Sequence, residues 1–167
     1  MTKVAANRLL WLVLGVAAGV IVLDQFTKWL VVTYLKPVGT VNVIGDWVRF
    51  TYVENTGAAF SMGTGYTWIF AIIAAVVAVV IVRSARRLTS VWWAVALGGL
   101  LGGALGNLID RLTRSPGFGR GYVVDFIALP HFAIFNVADI AVTCSALLMV
   151  LLSLKGVPFG AKPSVDV

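Results

Sequence analysis

Four stretches of this chain stay apolar for about the length that crosses a bilayer, and that feature decides the solvent in which it folds. A hydrocarbon core of roughly 30 Å takes about 20 helical residues. The stretches fall at about 9–34, 67–82, 91–110 and 132–154. The second has a short apolar centre and is expected to borrow Tyr66 and Thr67. Of the 167 residues, 60% are hydrophobic and 12% charged. A soluble domain is roughly half apolar and about a quarter charged, and a chain this short cannot enclose such an excess in one core. The expected fold is all-α and membrane-integral. One membrane-embedded domain, 1–167, would hold four transmembrane helices, with a small extracytoplasmic β-hairpin or sheet between the first two.

The formal charge of +6 raises the question of nucleic acid. The basic residues form no stripe with interleaved aromatics, and several flank apolar runs, which is how charge orients helices in a bilayer. No nucleic-acid partner is expected. Arg83, Arg86 and Arg87 crowd one very short connection, while Lys28, Lys36, Arg49, Arg111, Arg114 and Arg120 are spread over the opposite side. Short loops carry the rule most strongly, so both termini, with Lys3, Arg8, Lys155 and Lys162, are expected to be cytoplasmic. The first stretch is too long for a signal-peptide core and has no small-x-small site after it; it reads as a retained helix. Cys144 is the sole cysteine and His131 the sole histidine. A disulfide within the chain, or a metal site of several His or Cys ligands, is thereby excluded.

Between the first two spans, at about 37–66, Val41-Asn42-Val43-Ile44 and the β-rich run 47–53 are separated by Gly45-Asp46, the signature of a hairpin. Val48, Phe50 and Tyr52 would share a face that rests on the membrane surface. The second outer loop, about 111–131, begins irregularly around Ser115-Pro116-Gly117 and becomes Tyr122-Val123-Val124-Asp125-Phe126. The segment 155–167 forms a cytoplasmic tail, frayed at its end.

The acidic residues are few: Asp24, Asp46, Glu54, Asp110, Asp125, Asp139 and Asp166. A carboxylate at bilayer depth costs at least a few kcal/mol, so each intramembrane one needs a reason. With the orientation above, Asp24, Asp110, Asp125 and Asp139 come from four segments to one level near the outer surface. Asn136 and Asp139, three apart, are expected on one helix face. Asp139 alone fits a polar knot between helices as well as it fits chemistry, and Asp125 alone reads as a loop cap. Together, in poorly hydrated surroundings, two close carboxylates cannot both ionise, and one keeps a proton at neutral pH. In a continuous helix they would stand roughly 20 Å apart; Pro130 allows the chain to fold back.

Gly98, Gly102 and Gly106, with Gly99 and Gly103 beside them, form a close-packing face. Asp24 and Lys28 are spaced to pair along one helix. Asp110 and Arg111 suit a salt bridge or cap at the membrane surface, 54–57 a turn, and Thr143 and Cys144 packing within the bundle.

Five motifs occur in order: Asp24-Gln25-Phe26-Thr27-Lys28, Asn55-Thr56-Gly57-Ala58-Ala59-Phe60, the run 102–111 ending Asn107-Leu108-Ile109-Asp110-Arg111, Val123-Val124-Asp125-Phe126, and Phe135-Asn136-Val137-Ala138-Asp139. With these the chain resembles the lipoprotein signal peptidases (signal peptidase II) over nearly its whole length. The resemblance implies an aspartic endopeptidase with Asp125 and Asp139 as catalytic dyad. It implies that Asn55, Asn107, Arg111 and Asn136 line or brace the substrate site, together with Asp24, Lys28, Gly103, Asp110 and Ala138. No metal or organic cofactor is implied. The substrate would be a prolipoprotein whose cysteine carries diacylglycerol, cut just before that cysteine. The enzyme would be a monomer among the lipids of a bacterial inner membrane, with its site near the outer face. Departures from the family pattern are a long 112–120 segment, Phe132-Ala133 where an aromatic-proline pair is common, and Ile140 after Asp139. The competing readings are a small proton-coupled transporter using its intramembrane acids as a relay, a membrane hydrolase holding Mg²⁺ on Asp and Asn oxygens, and a noncatalytic assembly partner.

Overall fold

The computed structural model describes residues 3–57 and 67–160, with side chains from Asn7 onward in the first helix. Ala58, Ala59 and Phe60 of the second motif, Tyr66, the Lys3 side chain and the end of the tail with Lys162 lie outside the described residues. The chain runs α1 (Lys3–Leu30), a π-helical turn (Val31–Leu35), β1 (Val41–Ile44), β2 (Val48–Asn55), α2 (Thr67–Ala85), α3 (Val91–Thr113), β3 (Val123–Ala128) and α4 (Val137–Leu154). Among the described residues, four helices are long and apolar enough to cross a membrane. Ile72, Ile73, Val76, Val79 and Val80 of α2, and Leu147, Val150, Leu151 and Leu154 of α4, are exposed on the bundle surface, as lipid contact requires.

Helix α3 packs against the other three helices, and its glycines explain how it can. Cβ atoms added at Gly98 and Gly102 would stand 2.7 Å from the Cβ atoms of Val16 and Val20 on α1, and one at Gly103 would stand 2.5 Å from the Ala138 carbonyl on α4. Two adjacent glycine faces thus accept two different helices at backbone contact, where van der Waals packing replaces the hydrophobic driving force lipid cannot supply. Thr143 and Cys144 depart from the expected bundle packing: both are exposed. Val142 and Ser145, which meet Gly103 and Gly99, make the contact with α3 instead.

The hairpin is present, with β2 starting at Val48 and running on to Asn55. A third strand, β3, extends it into an antiparallel sheet of order β1-β2-β3. Val53 pairs with Asp125 and Asn55 with Val123. Phe50 and Tyr52 do not lie free on a membrane surface. They pack on Val31, Val124 and Phe126, with the Phe50 and Phe126 rings edge to face at 5.9 Å.

The fourth helix begins at Val137, not at 132. After β3 the chain turns at Pro130 and His131, whose φ is +57°, and comes back alongside the strand. Phe135 N–H donates to the Ile127 carbonyl at 3.1 Å, and Ile127 N–H returns a bond to the Phe135 carbonyl at 2.9 Å. These strand-like bonds hold 132–135 out of the helix. The other ends run longer than their apolar cores: α3 to Thr113 and α2 to Ala85. At the opposite end, Trp93 Nε1 donates to the Val157 carbonyl at 3.0 Å, fastening the start of the tail to α3.

Candidate active site

The chain reversal after β3 brings Asp125 and Asp139 onto one cavity of about 350 Å³, which Asn55, Asn107 and Arg111 also line. Its apolar walls include Val123, Ile134, Phe135 and Val142. Asp125 is buried and projects from β3. Asp139 stands in the first turn of α4, where Asn136 is the N-cap rather than a neighbour on a shared helix face, because its backbone is extended. The two residues form a capping box.

Every carboxylate oxygen of the pair accepts a hydrogen bond. Asp125 Oδ1 receives Asn136 Nδ2 at 2.7 Å and its Oδ2 receives Asn55 Nδ2 at 2.7 Å. Asp139 Oδ1 receives Asn107 Nδ2 at 2.8 Å, and its Oδ2 the Asn136 backbone N–H at 3.2 Å. The orientation of each carboxamide follows from partners that can only donate. Gly57 N–H fixes the Asn55 oxygen at 2.9 Å, Asp139 N–H the Asn136 oxygen at 3.0 Å, and the Lys28 ammonium the Asn107 oxygen at 2.9 Å. Each asparagine therefore has its NH₂ turned to a carboxylate.

Burial pushes the Asp125 carboxyl up to about 6. The hydrogen bonds from Asn55 and Asn136 oppose that rise, while the negative charge of Asp139 adds to it. A buried carboxyl in such surroundings is suited to holding a proton near neutral pH.

Beneath the pair lies a closed charge cluster. Lys28 Nζ contacts Asp24 Oδ2 at 2.8 Å and Asp110 Oδ2 at 3.0 Å, and all three side chains are fully buried. The α1 pairing read from spacing is present, and Asp110 is an interior residue rather than a surface salt bridge. Arg114 Nε closes the balance on Asp110 at 2.8 Å. The two acids also serve backbone: Asp24 accepts from Ala138 N–H at 2.9 Å, and Asp110 from Val124 N–H at 3.1 Å. One cluster thereby pins α1, α3, β3 and α4 beside the cavity that the two aspartates line. Gly103 and Ala138 act by shape, since the glycine admits the Ala138 carbonyl.

Arg111 Nη2 donates to the Gly57 carbonyl at 2.7 Å, and its guanidinium lies 5.3 Å from the centre of the Phe70 ring. Arg111 Nη1 is buried without a hydrogen-bond partner among the described residues. Sequence reasoning gave no role to Gln25 or Arg114. Gln25 Nε2 reaches Asp24 at 3.1 Å, the Gly106 carbonyl at 3.1 Å and Asp110 at 3.3 Å. Its place inside the first motif was the available signal; Arg114 stands one helical turn after Asp110. Among the described residues no group of three or more His, Cys, Asp or Glu side chains is placed to share a metal ion.

Known proteins resemble the chain in both sequence and fold. The family described as Signal peptidase (SPase) II matches residues 16–155. The lipoprotein signal peptidase of Mycobacterium avium (strain 104) is 53% identical over 152 residues, 91% of this chain and 84% of that protein. The one from Streptomyces coelicolor is 54% identical over 142 residues, 85% of this chain and 70% of that protein. Two solved structures, each described as a bacterial membrane enzyme, align with TM-scores of 0.77 and 0.73 at 30% and 32% identity. They cover 93% and 86% of this chain, and 93% and 92% of their own. With four membrane-length helices, and with sequence agreement running through all four, this chain belongs to the signal peptidase II family.

Proposed function

We propose that this protein is an aspartic endopeptidase that removes signal peptides from diacylglyceryl-modified prolipoproteins, cutting just before the lipidated cysteine. The observation that carries the reading is the convergence of Asp125 and Asp139, from β3 and α4, on one cavity with Asn136 bonded to both. Two carboxylates that line one poorly hydrated cavity and repel one another are expected to share a proton. The ionised member takes a proton from a water held between them, and that water attacks the scissile carbonyl. The protonated member hydrogen-bonds the oxyanion and later protonates the leaving amine. Asn55 and Asn136 hold the pair, and Nη1 of Arg111, buried and unpaired among the described residues, would donate to a substrate carbonyl that displaces what covers it.

A lipidated substrate suits the location. The cavity sits between the end of α3, the start of α4 and the sheet, so acyl chains can remain between helices while the peptide crosses the rim. The arginines between α2 and α3 support a cytoplasmic location for that connection, with the cavity at the outer face of the bacterial inner membrane. Both termini are then cytoplasmic, the neighbours are membrane lipids, and one chain supplies the whole site as a monomer. The relatives' name, lipoprotein signal peptidase, supports this substrate class. The transporter reading gains nothing from them, and a relay across the membrane would need acids at several depths, whereas Asp24, Asp110, Asp125 and Asp139 gather at one end.

The test is turnover of a lipidated precursor by Asp125→Asn and Asp139→Asn proteins in proteoliposomes. Each is expected to lose about a thousandfold or more in kcat while keeping its thermal unfolding transition. Near-normal cleavage by either variant removes the dyad.

A further inference from the structure

The buried cluster beneath the aspartates contains a lysine with an unusual division of its donors. Lys28 has no exposed side-chain surface and three N–H groups. Two go to the carboxylates of Asp24 and Asp110, and the third to Asn107 Oδ1 at 2.9 Å. A role limited to neutralising Asp24 and Asp110 would not require that third contact. Its effect is directional. With its oxygen held by the ammonium, Asn107 turns its NH₂ to Asp139 at 2.8 Å. Reversed, the carboxamide would set N–H against ammonium and oxygen against carboxylate, two repulsions in a poorly hydrated interior.

The other two asparagines at the pair are oriented by backbone N–H groups, those of Gly57 and Asp139. Asn107 is oriented by a charged side chain on a different helix, at 2.9 Å, with Asn136 Nδ2 donating to the same oxygen at 3.1 Å. The Lys28–Asn107–Asp139 chain also polarises in one direction, from cation through amide to carboxylate, which strengthens each successive bond.

We propose that Lys28 is a positioning residue of the peptidase site, acting through Asn107 to hold Asp139 as the ionised, proton-accepting member of the pair. This rests on the dyad reading above. Asp125 then carries the proton, and Asp139 takes the proton of the attacking water.

Two consequences separate this role from simple helix pinning. Without Lys28, the Asn107 oxygen keeps only the neutral contact from Asn136 Nδ2, so the polarised donation from Asn107 to the ionised Asp139 weakens and Asp139 protonates more readily. The acidic limb of the kcat profile then moves to higher pH. The effects of Lys28 and Asn107 on Asp139 should also be non-additive in a double-mutant cycle, since Lys28 reaches Asp139 only through Asn107. Because Lys28→Met alone leaves Asp24 and Asp110 under-compensated and risks misfolding, the working background is Asp24→Asn with Lys28→Met, in which Asp110 and Arg114 still balance.

The experiment compares four proteins in proteoliposomes with a lipidated precursor: wild type, Asp24→Asn/Lys28→Met, Asn107→Leu, and all three substitutions combined. Asp24→Asn alone is the control for the added change. The pair variant and Asn107→Leu should each lose about tenfold or more in kcat with little change in KM. Each should move the acidic limb upward by about one pH unit. The combination should be no worse than the poorer of the two. A pair variant that folds but leaves the acidic limb in place overturns the proposal, as does a combined loss equal to the product of the separate ones. If the pair variant does not fold, Asn107→Leu with an unmoved acidic limb overturns it. Asp139→Asn in the same assay reads the dyad independently: persistent turnover there removes the dyad, whereas its loss with unmoved limbs elsewhere removes only the role of Lys28.

Discussion

Asn136 and Asp139 hold each other at the start of α4: the Asn136 oxygen accepts the Asp139 N–H at 3.0 Å, and the Asp139 carboxylate accepts the Asn136 N–H at 3.2 Å. The exchange satisfies two N–H groups that a helix start leaves open. It also fixes the Asp139 side chain and leaves Asn136 Nδ2 directed at Asp125. A local capping device thus doubles as the link between two carboxylates fourteen positions apart.

Stability and catalysis can be separated at this position. Serine caps helices about as well as asparagine but lacks the NH₂ that reaches Asp125. Asn136→Ser keeps the cap and is expected to be about 1 kcal/mol more stable than Asn136→Ala, both lying about 1.5–3 kcal/mol or more below wild type through the lost bond to Asp125. Both should lose most of their turnover. Thermal unfolding beside precursor cleavage checks the split, and an active serine variant would refute the link.

Asn55 controls the other member of the pair. Its hydrogen bond favours the ionised Asp125 carboxyl, which burial has already pushed up to about 6. Losing that bond in Asn55→Leu raises the carboxyl further, so Asp125 keeps its proton to higher pH. The alkaline limb of the kcat/KM profile is expected to move upward, by about one unit, with the acidic limb little changed. A limb that stays in place, or moves down, would contradict Asp125 as the proton holder.

Arg111, which lines the cavity, combines a contact to Gly57 with a buried N–H unpaired among the described residues. Hydrogen bonds from charged donors contribute about 1.5–3 kcal/mol. Arg111→Met should therefore lower kcat/KM by about ten- to a hundredfold, mainly through KM. Lysine, without the planar fork, should recover only part of it. Steady-state kinetics on a lipidated precursor provide the check.

The glycines of α3 differ in what they tolerate. At Gly103 a methyl group meets the backbone oxygen of Ala138 at 2.5 Å, and relief requires moving the turn that carries Asp139. Gly103→Ala is expected to lose about 1–3 kcal/mol of stability and most activity. At Gly99 the nearest obstacle is the Ser145 hydroxyl, the end of a side chain that can rotate, so Gly99→Ala should be milder on both counts. Equal behaviour of the two would contradict the close approach of α3 and α4.

The sequence by itself determined the solvent, the four spans and the residues worth asking about. Hydrophobic length is a property of consecutive residues, and the expense of a carboxylate in lipid makes Asp24, Asp110, Asp125 and Asp139 conspicuous wherever they occur. The α1 pairing of Asp24 with Lys28 and the packing role of the α3 glycines were legible for the same reason, because helical spacing fixes which side chains share a face. The tertiary structure alone decided that Asp125 lies on a strand and that 132–135 stays out of the helix, because backbone pairing of β3 with β2 and with Phe135 outweighs the apolar continuity of that stretch. It also decided that Lys28 reaches Asn107 and that each asparagine turns its NH₂ to a carboxylate. Those contacts join residues from different helices and strands. Their direction is set by which partner can only donate, and no spacing along the chain encodes that.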